Sequence, residues 1–111
     1  MEDDRRADAL DALERIGYVD DARFATGKAA SLAERGFGDE AIRALLAADG
    51  LAADAVEHAV ERLAPEAKRA AAIVARLGAS PRTAARLARK GFGEDAVEAA
   101  AGAFAAEGPE A

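Results

Sequence analysis

The sequence predicts an all-α fold, with tandem three-helix repeats forming a short curved helical array, and three observations carry that expectation. Alanine supplies 34 of the 111 residues, and the larger apolar side chains recur at helical rather than strand spacing. A glycine followed by an apolar residue, then by an acid or alanine opening the next segment, punctuates the chain at Gly17-Tyr18, Gly36-Phe37, Gly50-Leu51 and Gly91-Phe92. Finally, Ala55, Val56, Ala59, Val60 and Leu63 return as Ala96, Val97, Ala100, Ala101 and Phe104, an offset of 41, while Gly36 to Gly78 is 42 and Gly50 to Gly91 is 41. Such self-similarity marks stacked repeats that cannot each bury a full face alone.

The turns divide the chain into helices at about 5–16, 20–35, 39–48, 53–64, 66–77, 81–90 and 94–105, with no strand. The first presents Leu10, Leu13 and Ile16 and ends at Gly17. Asp20 and Asp21 open the second, where an N-cap and a partner for the positive helix end explain them more economically than a catalytic carboxylate pair. Gly36 closes that helix, because glycine takes the left-handed conformation at a C-terminus without a Cβ clash, and Phe37 folds back onto the helix just left. The acids Asp39 and Glu40 then meet the next N-terminus, and Gly50-Leu51 and Gly91-Phe92 repeat the device. At Gly78-Ala79-Ser80-Pro81, Ser80 offers a capping hydroxyl and Pro81 suits the first helical position. Gly27 and Gly102 lie inside helical segments at about 1 kcal/mol each relative to alanine, which close helix approach would explain. Residues 1–19 thus read as the last helix of a truncated first repeat, 20–64 and 65–106 as two three-helix repeats, and 107–111 as a disordered tail.

Leu, Ile, Val and Phe together number only 21, so large core residues are scarce and marginal stability is expected. The chain lacks cysteine, which excludes disulfides and thiolate chemistry and fits the cytoplasm. The charged start MEDDRRAD is unlike a signal peptide and no apolar run is long enough for a membrane span, so a soluble, unprocessed chain is expected.

Catalytic constellations are not apparent. His58, the single histidine, falls opposite the Ala55-Val56-Ala59-Val60-Leu63 stripe, and a solvated role outweighs a ligand or catalytic one. Ser31 and Ser80 give no serine triad, and the Gly-Phe-Gly turns follow helices and lack the lysine of a phosphate loop. No enzyme, cofactor or metal is expected. Tyr18, Phe24, Phe37 and Phe92 are better read as core than as partner hot spots.

The charge map is more informative. The formal charge is -6, yet residues 65–90 hold 7 bases against one acid, between a segment of 8 bases and 15 acids and one of 5 acids and no base. Arg82, Arg86, Arg89 and Lys90 fall within about 100° of arc on helix 81–90, with Ala84, Ala85, Leu87 and Ala88 around the other side. Lys68, Arg69 and Arg76 are assigned to one face of the preceding helix. A solvated face balanced by acidic neighbours and a binding stripe both remain open on these residues. Aromatic side chains are not interleaved with the bases, which argues against stacking on single strands.

The run Ile16-Gly17-Tyr18-Val19-Asp20-Asp21-Ala22-Arg23-Phe24-Ala25 resembles the signature segment of the RecX regulatory proteins, in which Gly-Tyr, an apolar residue, Asp-Asp, a variable residue and Arg-Phe-Ala recur. Arg35-Gly36-Phe37-Gly38 and Arg89-Lys90-Gly91-Phe92-Gly93 resemble that family's later basic-Gly-aromatic turns, and the similarity spans about residues 8 to 105. The resemblance implies tandem three-helix repeats in an N-terminally shortened member. It also implies a non-enzymatic regulator that lies in the groove of the RecA recombinase filament on DNA and suppresses ATP hydrolysis and strand exchange; separately, a monomer is expected. It assigns Gly17, Tyr18, Asp20, Asp21, Arg23, Phe24, Gly36, Phe37, Gly91 and Phe92 to the family's structural signature. Where the family is arginine-rich after Gly36, this chain reads Asp39-Glu40-Ala41-Ile42-Arg43-Ala44-Leu45, so weak or no direct DNA binding is expected. The expected partner surface comprises Lys68, Arg69, Arg76, Arg82, Arg86, Arg89 and Lys90. A direct nucleic-acid-binding module and a generic helical adaptor are the alternatives.

Overall fold

Alanine-rich segments separated by glycine turns fold as helices throughout the described part of the chain. The computed structural model describes residues 20–107, with side chains to residue 102. Residues 20–34 are helical (α1), followed by α2 (Asp39–Ala48), α3 (Ala53–Glu61), α4 (Glu66–Leu77), α5 (Pro81–Arg89) and α6 (Glu94–Glu107). Among the described residues there is no strand. The expected helix at 5–16, with Gly17 and Tyr18 of the signature, lies outside them, as do residues 108–111 of the expected tail; Glu107 itself is helical.

The helices form two groups of three, each with its own core. Ala25, Ala29 and Leu32 of α1, spaced to share one face, pack with Ile42 and Leu46 of α2 and with Ala55, Val56, Ala59 and Val60 of α3. Ala70 of α4, Ala84 and Leu87 of α5, Phe92, and Ala96 and Ala100 of α6 form the second core. Buried positions correspond at the offset of 41: Ala29 with Ala70, Ile42 with Thr83, Leu46 with Leu87, Ala55 with Ala96, and Ala59 with Ala100. The substitution of Thr83 for an apolar counterpart is compensated locally. Its hydroxyl donates to the Gly78 carbonyl at 2.7 Å, and its backbone N–H donates to Ser80 Oγ at 3.1 Å, the cap expected of Ser80.

The structure departs from the sequence expectations at five places. Helix α3 stops at Glu61 rather than 64, with Arg62 as its cap, and Pro65 disfavours helical geometry at Ala64. Helix α5 ends at Arg89, with Lys90 as its cap. Gly102 does not sit within a continuous helix: at φ 49° and ψ -126° it breaks α6, a conformation open to glycine. Gly27, by contrast, has nothing within 4 Å of a β-carbon position, so close helix approach does not account for it. On α5, Ala85 and Ala88 are exposed, and Thr83 joins Ala84 and Leu87 on the buried side.

Candidate functional site: a basic cleft between the helical units

The two units are joined by the turns that the glycine-aromatic pattern marks. Gly36 and Gly91 have φ of 88° and 87°, and in each turn the following phenylalanine N–H reaches back into the preceding helix, Phe37 to the Leu32 carbonyl at 3.1 Å and Phe92 to the Leu87 carbonyl at 3.0 Å. The turns then meet. Gly38 N–H donates to the Lys90 carbonyl at 2.8 Å, and Glu40 N–H to the Gly91 carbonyl at 3.2 Å. A β-carbon on Gly38 would fall on the Gly91 carbonyl, and one on Gly91 would fall on Ala41.

Two side chains of α4 lock this seam. Glu66 Oε2 accepts from Asp39 N–H at 2.8 Å and Oε1 from Gly93 N–H at 2.9 Å. One carboxylate thus satisfies orphan donors at the starts of α2 and α6 from its own place in the first turn of α4, where the positive helix ends favour an anion. Arg69 Nη1 donates to Asp39 Oδ1 at 2.6 Å and to the Ala64 carbonyl at 3.1 Å, while Nη2 donates to the Phe37 carbonyl at 3.0 Å. Its side chain is only 12% exposed, and the guanidinium carbon stands 5.9 Å from the Phe92 ring centroid.

Beside the seam is a cleft of about 260 Å³, with Ala33, Ala72, Ile73 and Leu87 as apolar lining and Arg35, Arg69, Arg76, Arg86 and Lys90 as cations, against the single acid Glu34. Lys90 Nζ lies 4.3 Å and the Arg35 guanidinium carbon 5.5 Å from the Phe37 ring centroid, so one aromatic ring holds two of the cations. Among the described residues the ion pairs are Lys28 with Asp49, Arg43 with Glu57, and Arg69 with Asp39. Arg35, Arg76, Arg86 and Lys90 take part in none of them.

Of the expected partner surface, the structure brings Arg69, Arg76, Arg86 and Lys90 to this cleft. Arg82 and Arg89 share a neighbouring hollow of about 410 Å³ with Arg86 and Leu77, so Arg86 joins the two basic surfaces. Lys68 is exposed and lines neither. Adjacent helical residues point about 100° apart, which turns Lys68 away from the face Arg69 shares with Arg76. Arg69 is committed to the seam by its hydrogen bonds, leaving the other cations to face an incoming group. Arg35 was absent from the sequence-based surface, as were the clamping roles of Glu66 and Asp39; the basic residue directly before the Gly36-Phe37 turn was the available signal for Arg35.

The signature residues divide. Gly36, Phe37, Gly91 and Phe92 build the seam, whereas Asp20, Asp21 and Arg23 are exposed on α1. Phe24 is 53% exposed rather than packed in the core, because Ala25 and Ala29 occupy the buried face of α1. His58 is exposed, as expected. Among the described residues no cluster of His, Asp or Glu is placed to hold a metal ion, and no helix is long and apolar enough to cross a membrane. No protein-family model, curated protein or solved structure matches the chain.

Proposed function

We propose that this chain is a RecX-like regulatory protein that binds the RecA recombinase filament on DNA and inhibits its ATPase and strand-exchange activities, with no catalytic step of its own. One observation carries the reading: Arg35, Arg76, Arg86 and Lys90, contributed by both helical units, surround one concave cleft without carboxylate partners among the described residues, on a chain whose formal charge is -6. Such a cluster is a local attractive field in a molecule that otherwise repels anions. The resemblance of residues 16–25 and of the two glycine-aromatic turns to the RecX pattern supplies the identity of the partner.

Contact with a filament groove requires a surface of fixed shape, and the Glu66 and Arg69 clamps supply one by tying α2, α4 and α6 together. Arg82, Arg86 and Arg89 extend the basic surface outward from the cleft, with Leu77, 47% exposed, beside them. Regulation in this reading is occupancy: the bound chain bridges neighbouring protomers and opposes the changes between them that accompany ATP turnover.

Co-sedimentation tests it. The chain is expected to pellet with RecA filaments on single-stranded DNA and to remain in the supernatant with DNA alone at physiological salt. Equal pelleting with DNA alone, lost steeply as salt rises, would assign the surface to nucleic acid instead. No pelleting with filaments at any salt would overturn the proposal.

A further inference from the structure

We infer that the cleft at the seam is a preformed site for a group of two or three adjacent phosphates. The inference rests on the geometry of the cleft and goes beyond the recombinase reading, although the same cations serve both.

The first argument is charge. Five cations and one acid line the cleft, and Asp39 neutralises Arg69 from behind, which leaves a surplus of about three positive charges over Glu34. A lone carboxylate or a single phosphate does not balance that surplus, whereas a condensed phosphate or a short run of phosphodiesters does. The donors also suit phosphate. Arg35, Arg76 and Arg86 each present a planar fork that matches paired oxyanion oxygens, and Lys90 adds a compact point charge.

The second argument is preorganisation. Lys90 and Arg35 lie over Phe37, and the backbone of Lys90 is fixed by the hydrogen bond from Gly38. Arg76 and Arg86 project from the last turns of α4 and α5. The apolar lining from Ala72, Ile73 and Leu87 lowers the local dielectric and strengthens the attraction. Cations at helix C-termini often serve only to balance the terminal carbonyls. Here the carbonyls of Ser31, Leu32 and Ala33, and of Arg86, Leu87 and Ala88, already accept from backbone N–H groups of the glycine turns, so the charge of Arg35 and Lys90 is in excess of that need.

Phosphates of this kind come from a nucleic-acid strand or from a soluble polyphosphate. The test is calorimetric titration of the full chain with sodium tripolyphosphate at fixed ionic strength, using the parent chain, Arg76→Gln, Arg86→Gln, the double variant, and Arg62→Gln as a control outside the cleft. One-to-one binding is expected, weakened about ten-fold by each cleft substitution and unchanged in the control. Circular dichroism of each variant should match the parent. No binding to the parent, or an equal loss with Arg62→Gln, would overturn the site.

Competition identifies the source. Displacement of tripolyphosphate by a short oligothymidylate supports a nucleic-acid strand as occupant, and binding without displacement supports a condensed phosphate; either result requires the site. The titration contains no recombinase, so its failure removes the phosphate site and leaves the filament reading to its own assay, and the converse holds.

Discussion

Gly38 and Gly91 meet backbone to backbone at the seam, with the β-carbon position of Gly38 occupied by the Gly91 carbonyl and the next peptide. The contact brings the backbones of the two units together at the seam, beside the basic cleft that both of them line. Gly38→Ala should therefore cost about 2–4 kcal/mol in urea unfolding, because the obstructing atoms are backbone and cannot turn aside. Gly27→Ala, with open space around it, should stabilise by about 0.5–1 kcal/mol through helix propensity alone. Equal effects at the two positions would refute the close contact.

Glu66 holds two helix starts with one carboxylate. The conservative variant Glu66→Gln keeps one carbonyl acceptor and loses the charge, so one of the two backbone donors is left without its partner. A loss of about 1–3 kcal/mol is expected. Amide hydrogen exchange should quicken at Asp39 and Gly93 before it changes at Ala59 in the first core, and uniform quickening would argue against a local clamp.

Arg69 and Asp39 form the best-buried ion pair among the described residues. Removing Arg69 also strands the part-buried carbonyl of Phe37, so Arg69→Ala should cost more than Asp39→Ala. A double-mutant cycle should return a coupling of about 1–3 kcal/mol, above that of an exposed pair. The same cycle on Arg43 and Glu57, both largely exposed, should return less than about 1 kcal/mol. Coupling of equal size in the two cycles would show that burial at the seam adds nothing.

The helices were legible because the signals that end them are local. Gly36, Gly50, Gly78 and Gly91 all have positive φ, Ser80 caps α5 as its position before Pro81 implies, and the recurrence of small and aliphatic residues marked both cores. The seam was not legible, because its partners are remote in sequence. Arg69 and Asp39 are 30 positions apart and Glu66 and Gly93 are 27 apart, and no local pattern says which turn will pack against which. The cleft was half legible for the same reason: a helical wheel finds Arg86 and Lys90 on one element, but only packing brings Arg35 from the other unit. Gly102 shows the reverse limit. Its low helix propensity was visible, whereas the backbone break, with Ala79 3.3 Å from the β-carbon position, depends on the neighbouring turn.

The most direct measurement of the central claim is the ATPase rate of RecA filaments on single-stranded DNA, titrated with the parent chain and with Arg76→Glu/Arg86→Glu. The parent should suppress turnover in a saturable manner, and the variant, at unchanged helicity, should require at least about ten-fold more protein for the same suppression. Full suppression by the variant at parental concentrations, or no suppression by the parent, would contradict the assignment of the basic cleft to the filament.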